Sequence, residues 1–351
     1  MTPALLITRD DALLEDLLRL AAASGSLLEV AHDSGAGLRE WSAASVVLVG
    51  SDLLGSVARQ RPPRRADVHV VGRGPTDDAV FRDALAVGAV EVVELPAAED
   101  WLVELLSDAV DGQATTGVAP LVGVVAGSGG AGATTFASAL ALTAARTRPT
   151  VLVDLDPLGP GVDRVVGLDE PGGVRWGDLS DSRGRFGARS LRAALPAQDG
   201  LAVLTWGAGR PVEPSAATVR EVLSAAQRGS DLVVLDLPRT WDQTTAEVVT
   251  RCHRVVVVAD RTVSGAVSAA RTTTALRALN EAVALVARRG GALAAEDLAA
   301  TLDLPLLAEV GHLRRLGEQV DLGLGPASAR RSSLVRAARR VLADLGLDRA
   351  A

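Results

Sequence analysis

The 351-residue chain has no lysine and no tyrosine, a single cysteine and a single methionine, and aromatic side chains make up only 2% of it. Alanine, glycine, arginine and leucine dominate instead, a composition that reads as coding bias toward GC-rich codons. The lone cysteine, Cys252, excludes an intramolecular disulfide, and the N-terminus lacks the basic-then-apolar order of a secretory signal, so the expected compartment is the cytoplasm. No uninterrupted apolar run approaches the roughly 20 residues that cross a bilayer. A net charge of -7 argues against a broadly basic, nucleic-acid-coating surface and leaves room only for local basic patches. The length suggests two domains, and 48% hydrophobic residues suffice for two packed cores.

Over residues 1–111, short β-branched runs at 4–8, 27–31, 45–49, 68–71 and 90–94 alternate with helical stretches. In the stretch 10–23, for example, Leu13, Leu14, Leu17, Leu18 and Ala21 fall at helical spacing. Five βα units predict a parallel sheet of flavodoxin-like type. Residues 88–96, from Gly88 through Glu94 and Leu95 to Pro96, carry the resemblance to the receiver domain of two-component response regulators. That chemistry needs an acidic pair, a phosphoacceptor aspartate, a hydroxyl and a lysine at successive strand ends. The matching positions hold Arg9 and Asp10, then Gly50, Gly72 and Leu95. Asp52 lies two positions beyond the phosphoacceptor site and reads as a solvated loop aspartate. The expectation is therefore a pseudo-receiver kept for protein contacts.

Residues 112–119 are small and polar, bracketed by Gly112 and Pro120, and are expected to be a linker. Beyond them the apolar run 121–126 feeds into Gly127, Ser128, Gly129, Gly130, Ala131, Gly132, Ala133, Thr134 and Thr135, followed by an alanine-rich helical pattern at 136–146. Strand, glycine loop and helix in that order make a phosphate loop, in which backbone N–H groups and the helix start cradle phosphates. Such a loop ordinarily carries a lysine for the outer phosphates. Ala133 stands in that place, so the cation is gone rather than exchanged for arginine. Two more apolar strands, 151–156 and 231–236, end in Asp154 and Asp156 and in Asp236, which puts carboxylates at the ligand-binding edge of an open α/β sheet. Strand-like runs at 201–205, 255–259, 282–287 and 306–310 complete a doubly wound parallel sheet over residues 120–351.

This order of motifs resembles the ParA/MinD family of deviant-Walker ATPases, whose loop reads Lys-Gly-Gly-x-Gly-Lys-Thr-Thr. The resemblance implies that Ser128 occupies the place of the signature lysine and Ala133 that of the ordinary Walker lysine. It also implies that Thr134 ligates magnesium and Thr135 meets the inner phosphate. Asp156 would position the attacking water and Asp236 would hold magnesium through water, with Asp154 a further candidate metal contact. The implied ligand is ATP with magnesium, bound weakly or not at all and hydrolysed poorly. A hydrogen bond to a charged group contributes roughly 1.5–3 kcal/mol, so two absent lysines remove about 3–6 kcal/mol, or on the order of 10²–10⁴ in affinity. Arg164 and Arg239 are candidates to replace them.

A pseudo-receiver followed by a ParA/MinD-like domain resembles the TadZ/CpaE group that positions Tad pilus machinery. Together with residues 167–179, the composition and the lysine-free loop, it also resembles the actinobacterial septum-site-determining (Ssd) proteins. These resemblances imply a homodimer that meets cell-division or pilus machinery through its N-terminal domain, at a pole or septum. Alternatives are an active MinD-like ATPase cycling on the membrane and a ParA-like DNA partitioning factor, the latter disfavoured by the acidic balance. In residues 330–347, Leu334, Val335, Ala338, Val341, Leu342 and Leu345 share one helical face ringed by Arg330, Arg331, Arg336, Arg339 and Arg340. That pattern fits either peripheral contact with an anionic membrane or a final helix packed on the sheet. His32, His69, His253 and His312 show no metal-ligand spacing. Cys252 and His253, adjacent in an extended segment, point to opposite faces and form no nucleophile pair. Trp176, Trp206 and Trp241 lie in loops or at strand ends, where burial is the first expectation and a partner-facing role the alternative.

Overall fold

In the computed structural model, residues 3–74, 78–111, 118–168, 172–180, 186–207 and 214–347 are described. The chain divides into two compact units, Met1–Gly117 with Gly184–Ser190, and Val118–Arg183 with Leu191–Ala351. Most of the expected linker, 112–117, lies outside the described residues. Ala119 is tied to the second unit, donating its N–H to the Gln227 carbonyl at 3.2 Å and accepting from Gln227 Nε2 at 2.8 Å.

The first unit holds β1 (Ala4–Ile7), β2 (Leu28–Ala31), β3 (Val47–Gly50), β4 (Val68–Arg73) and β5 (Glu91–Leu95) in the order β2-β1-β3-β4-β5, all parallel. A parallel sheet needs a crossover between strands, and the helical stretches supply it. The helix Asp11–Ser24 starts where the Asp10 carboxylate accepts from the N–H groups of Ala12 and Leu13, and stops at Gly25, whose φ of +68° a side chain would oppose. Its Leu13, Leu17 and Leu20 pack with Leu6, Leu48 and Leu102 on one face of the sheet. Ile7, Trp41, Val47, Leu54 and Val70 fill the other face. Two covered faces explain why the inner strands β1, β3 and β4 are buried along nearly their whole length, whereas the edge strands β2 and β5 are partly exposed.

The second unit is built on an eight-stranded sheet: β6 (Leu121–Ala126), β7 (Thr150–Asp154), β8 (Ala197–Gln198), β9 (Leu201–Leu204), β10 (Leu232–Leu237), β11 (Arg254–Asp260), β12 (Val283–Arg288) and β13 (Leu306–Val310). The order is β13-β12-β11-β6-β10-β7-β9-β8, parallel except for the two-residue edge β8, which runs antiparallel to β9. The helix Ala133–Ala145 lies over the sheet, with Phe136 and Leu140 in one core beside Leu334, Val341 and Leu342 of the helix Ser333–Asp344. Burying each such side chain stabilises the fold by roughly 1.5–3 kcal/mol. This corrects one of the two readings of residues 330–347. The apolar face that would enter a membrane is already spent on the core, and Arg336, Arg339 and Arg340 lie on the exposed side together with Ala343 and Asp344. No helix among the described residues is long and apolar enough to cross a membrane.

Candidate functional site

β6 lies at the point where the sheet order reverses, with β10, β7, β9 and β8 on one side and β11, β12 and β13 on the other. Loops at such a point open a crevice at the carboxyl ends of the strands. The chain leaving β6 stays against the sheet: the Gly127 N–H donates to the Val258 carbonyl at 2.8 Å, and a Cβ at 127 would lie 2.8 Å from that of Ala269. Ala131 N–H then donates back to the Ser128 carbonyl at 3.2 Å, and Gly132, at φ +87°, turns the backbone into the helix Ala133–Ala145. The first N–H groups of that helix have no partner within it and face the crevice, where they suit an anion. Gly129 and Gly130 are exposed at the loop apex, and Ala133 is buried at 7% exposure. The shape of a phosphate loop persists where no lysine exists.

The carboxylates stand beside it. β7 and β10 are neighbours in a register that sets Asp236 next to Asp154. Asp236, 3% exposed, hydrogen-bonds the Thr134 hydroxyl. Burial first, and repulsion from Asp154 and Asp156 after it, push its pKa up to about 8. Without a cation the group is thus largely protonated at neutral pH. Asp154, 1% exposed, is raised by burial to about 6. Its oxygens accept from Thr205 Oγ1 at 2.7 Å, Asp156 N at 3.0 Å and Val162 N at 3.3 Å. Its carbonyl accepts from the indole N–H of the buried Trp176 at 2.7 Å. Asp154 therefore ties the turn that carries Asp156 to Thr205 and Val162. Asp156 is half-buried and accepts from Leu158 N at 3.1 Å.

The residues present fit a magnesium-bound phosphate in shape: an N–H-lined loop, a hydroxyl and a carboxylate paired at its helix start, and a second carboxylate within electrostatic reach. Positive charge comes only from outside the loop. Arg239, just after β10, has Nη1 3.6 Å from where a Cβ on Gly129 would sit, and its Nη2 donates to Ser268 Oγ at 3.2 Å. Arg288, the last residue of β12, donates from Nη1 to the Gly130 carbonyl at 3.1 Å. The same nitrogen lies 2.7 Å from where a Cβ on Gly132 would sit. Arg164 is exposed on the short helix Val162–Val166. Sequence reasoning nominated Arg239 and Arg164 and missed Arg288, because a strand-ending arginine carries no motif and only the pairing of β12 with β11 brings it to the loop.

One cleft borders the loop and is lined by Gly132, Thr135, Phe136, Arg288, His312 and Leu313. Another, past the end of β10, is lined by Pro157, Trp206, Pro238, Trp241 and Thr244 among others. Trp206 and Trp241 are half-buried, unlike Trp176. Cys252 is buried and donates to the Val248 carbonyl at 3.4 Å, while His253 Nδ1 accepts from Leu121 N at 3.1 Å, so the two share no bond. No group of three or more His, Cys, Asp or Glu among the described residues is arranged to hold a metal ion.

In the first unit the receiver positions hold other contacts. Asp10 caps its helix. Asp52 is not a freely solvated aspartate, because it accepts from Thr8 Oγ1 at 2.8 Å and Arg9 N at 2.7 Å. Leu95 is 3% exposed in the core. His69, also buried, meets Trp101 edge to face at 5.2 Å.

A family profile described as "Rv3660c-like, CheY-like N-terminal domain" matches residues 7–117. Rv3660c of Mycobacterium tuberculosis strain H37Rv, described as uncharacterized, is 37% identical over 342 residues, covering 96% of each chain. Among solved structures, the septum site-determining protein MinD of Pyrococcus horikoshii OT3, complexed with Mg-ADP, is 17% identical and covers 66% of this chain and 99% of its own, with a TM-score of 0.56. A ParA family ATPase from Chlorobium tepidum is 15% identical, covers 64% and 98%, and has a TM-score of 0.55. At such identities the likeness is one of fold: a CheY-like N-terminal domain and a MinD/ParA-type parallel-sheet P-loop fold.

Proposed function

Because the chain belongs to the family of Mycobacterium tuberculosis Rv3660c, we propose that it is a spatial regulator of the septum-site-determining or pilus-positioning (TadZ/CpaE) kind. On this reading its second unit binds nucleotide weakly and hydrolyses it poorly. The observation that carries the reading is the combination of an intact loop, with Thr134 bonded to Asp236, and alanine and serine at both lysine positions. Binding needs shape and donors, whereas turnover needs charge placed on the transferred group, and the second requirement suffers more from the losses.

Bound magnesium-ATP would supply the phosphate charge that the N–H groups of residues 129–135 are shaped to receive. Thr134 and Asp236 would orient the metal, the latter giving up its proton as the cation arrives. Asp156 would hold water near the phosphate, with Asp154, Thr205 and Trp176 keeping its turn in place. The pseudo-receiver would contact division or secretion proteins, and the P-loop unit would pair with a second copy. MinD from Aquifex aeolicus has been solved in complex with MinC, which supports partner binding as a use of this fold. The protein would act in the cytoplasm, at a pole or septum.

The second reading, an active MinD-like ATPase cycling on the membrane, is favoured by the retention of Thr134, Asp156 and Asp236 together. Asp156→Ala separates the two. The scaffold reading expects unchanged phosphate release and unchanged cellular placement, and a loss of both would establish the enzyme.

A further inference from the structure

The loop carries no cation of its own, and two arginines reach it from the ends of other strands, one at the end of β12 and one just after β10. Arg288 is carried to the carboxyl edge of the sheet by the register that pairs it with Asp260 of β11. From there its guanidinium donates to the Gly130 carbonyl at 3.1 Å and occupies the space that any side chain at Gly132 would need. On the opposite flank, the chain leaving β10 places Arg239 at the apex, 3.6 Å from where a Cβ on Gly129 would sit, steadied by Ser268. A guanidinium has five donors. Each of these arginines shows one hydrogen bond among the described residues, and neither makes an ion pair there. Both therefore keep donors and a full charge at the rim of a loop whose interior is N–H groups alone. A planar fork matches phosphate oxygens in pairs, which a lysine ammonium does not do.

We infer that the positive charge missing from the loop has been relocated to Arg239 and Arg288, which grip the phosphates of a bound nucleotide from outside the loop. Arg288 serves twice, as a brace on Gly130 and as a phosphate contact beside the cleft lined by Thr135 and His312. Arg239 reaches the phosphates from the β10 side, over Gly129. The inference rests on the nucleotide-binding reading above.

The test is calorimetric titration of the full chain with magnesium-ATP and magnesium-ADP, in wild type, Arg239→Gln, Arg288→Gln, the double variant and Arg164→Gln, with thermal unfolding followed in parallel. Each single variant is expected to bind about tenfold or more weakly, and the double variant about a hundredfold or more. Arg164→Gln is expected to match wild type. Because removing the brace could disturb the loop, Arg288→Lys and the combination Arg288→Gln with Ala133→Lys provide the control: either restores much of the affinity by returning a charge. Wild-type binding with both single variants within twofold overturns the inference and leaves the nucleotide reading standing. Lost binding that neither lysine restores, with a lowered unfolding temperature, overturns it by reducing Arg288 to a brace. An absence of binding by wild type at millimolar nucleotide overturns both.

Discussion

Neither unit has a lysine at its candidate site, but the polar residues around those positions have fared differently. In the first unit they have been reused. Leu95 sits in the core, Asp10 caps a helix, and Asp52 holds Thr8 and Arg9, 44 and 43 residues away in sequence. In the second unit the positions remain unsettled. Asp236 is buried with a single hydroxyl partner and two like charges nearby, and its pKa of about 8 expresses that discomfort. A site whose polar groups have found new partners has been built over, whereas one that keeps buried carboxylates at a cost still suits the cation that would relieve them.

Returning lysine to each unit should break the symmetry most visibly. Ser128→Lys with Ala133→Lys is expected to raise magnesium-ATP affinity on the order of 10²–10⁴ by titration, because the cradle is ready. In the first unit, Leu95→Lys should bring no phosphoryl acceptance from acetyl phosphate and should lower stability by about 3 kcal/mol or more in urea unfolding, since it buries a charge with no partner.

The next effect concerns pH. Asp236 titrates near 3.8 when unfolded and near 8 when folded, so the folded protein holds the extra proton between those values. Its contribution to stability is full below the lower value and fades as pH rises through the higher one. Asp236→Asn, which keeps a partner for Thr134, should therefore match wild type near pH 4 and exceed it by about 2 kcal/mol or more at pH 8 without metal. Equal stabilities at both pH values would remove the account of that carboxylate. Asp52→Ala should cost about 1 kcal/mol in the first unit through its two hydrogen bonds. The smallest effect is a null one. Burial raises the Cys252 thiol to about 12, so it should resist a disulfide reagent at pH 8 until the second unit unfolds.

Much of this comparison was legible in the chain before folding. Strands at residues 121–126 and 306–310 are read at their observed bounds, and the remaining long strands within a residue or two, because buried parallel strands are apolar runs whatever their neighbours. The two-residue β8 left no pattern to read. The loop and Asp236 were legible because a motif keeps both within a few residues of a strand end. Arg288 was not, since it lies 158 residues from Gly130 and only the strand order joins them. The supports of Asp154 were not legible for a related reason: its partners Thr205 and Trp176 come from separate segments. The helix Ser333–Asp344 shows the limit of amphipathic patterning, which specifies an apolar face without saying what covers it.

The most direct measurement is titration of the purified protein with magnesium-ATP and magnesium-ADP while its mass is read by light scattering in the same samples. A second unit that is still a nucleotide pocket predicts saturable ATP binding at about 100 micromolar or tighter, accompanied by a doubling of mass. No binding at millimolar nucleotide, and a mass indifferent to ATP, would contradict it and place the second unit beside the first as a site built over.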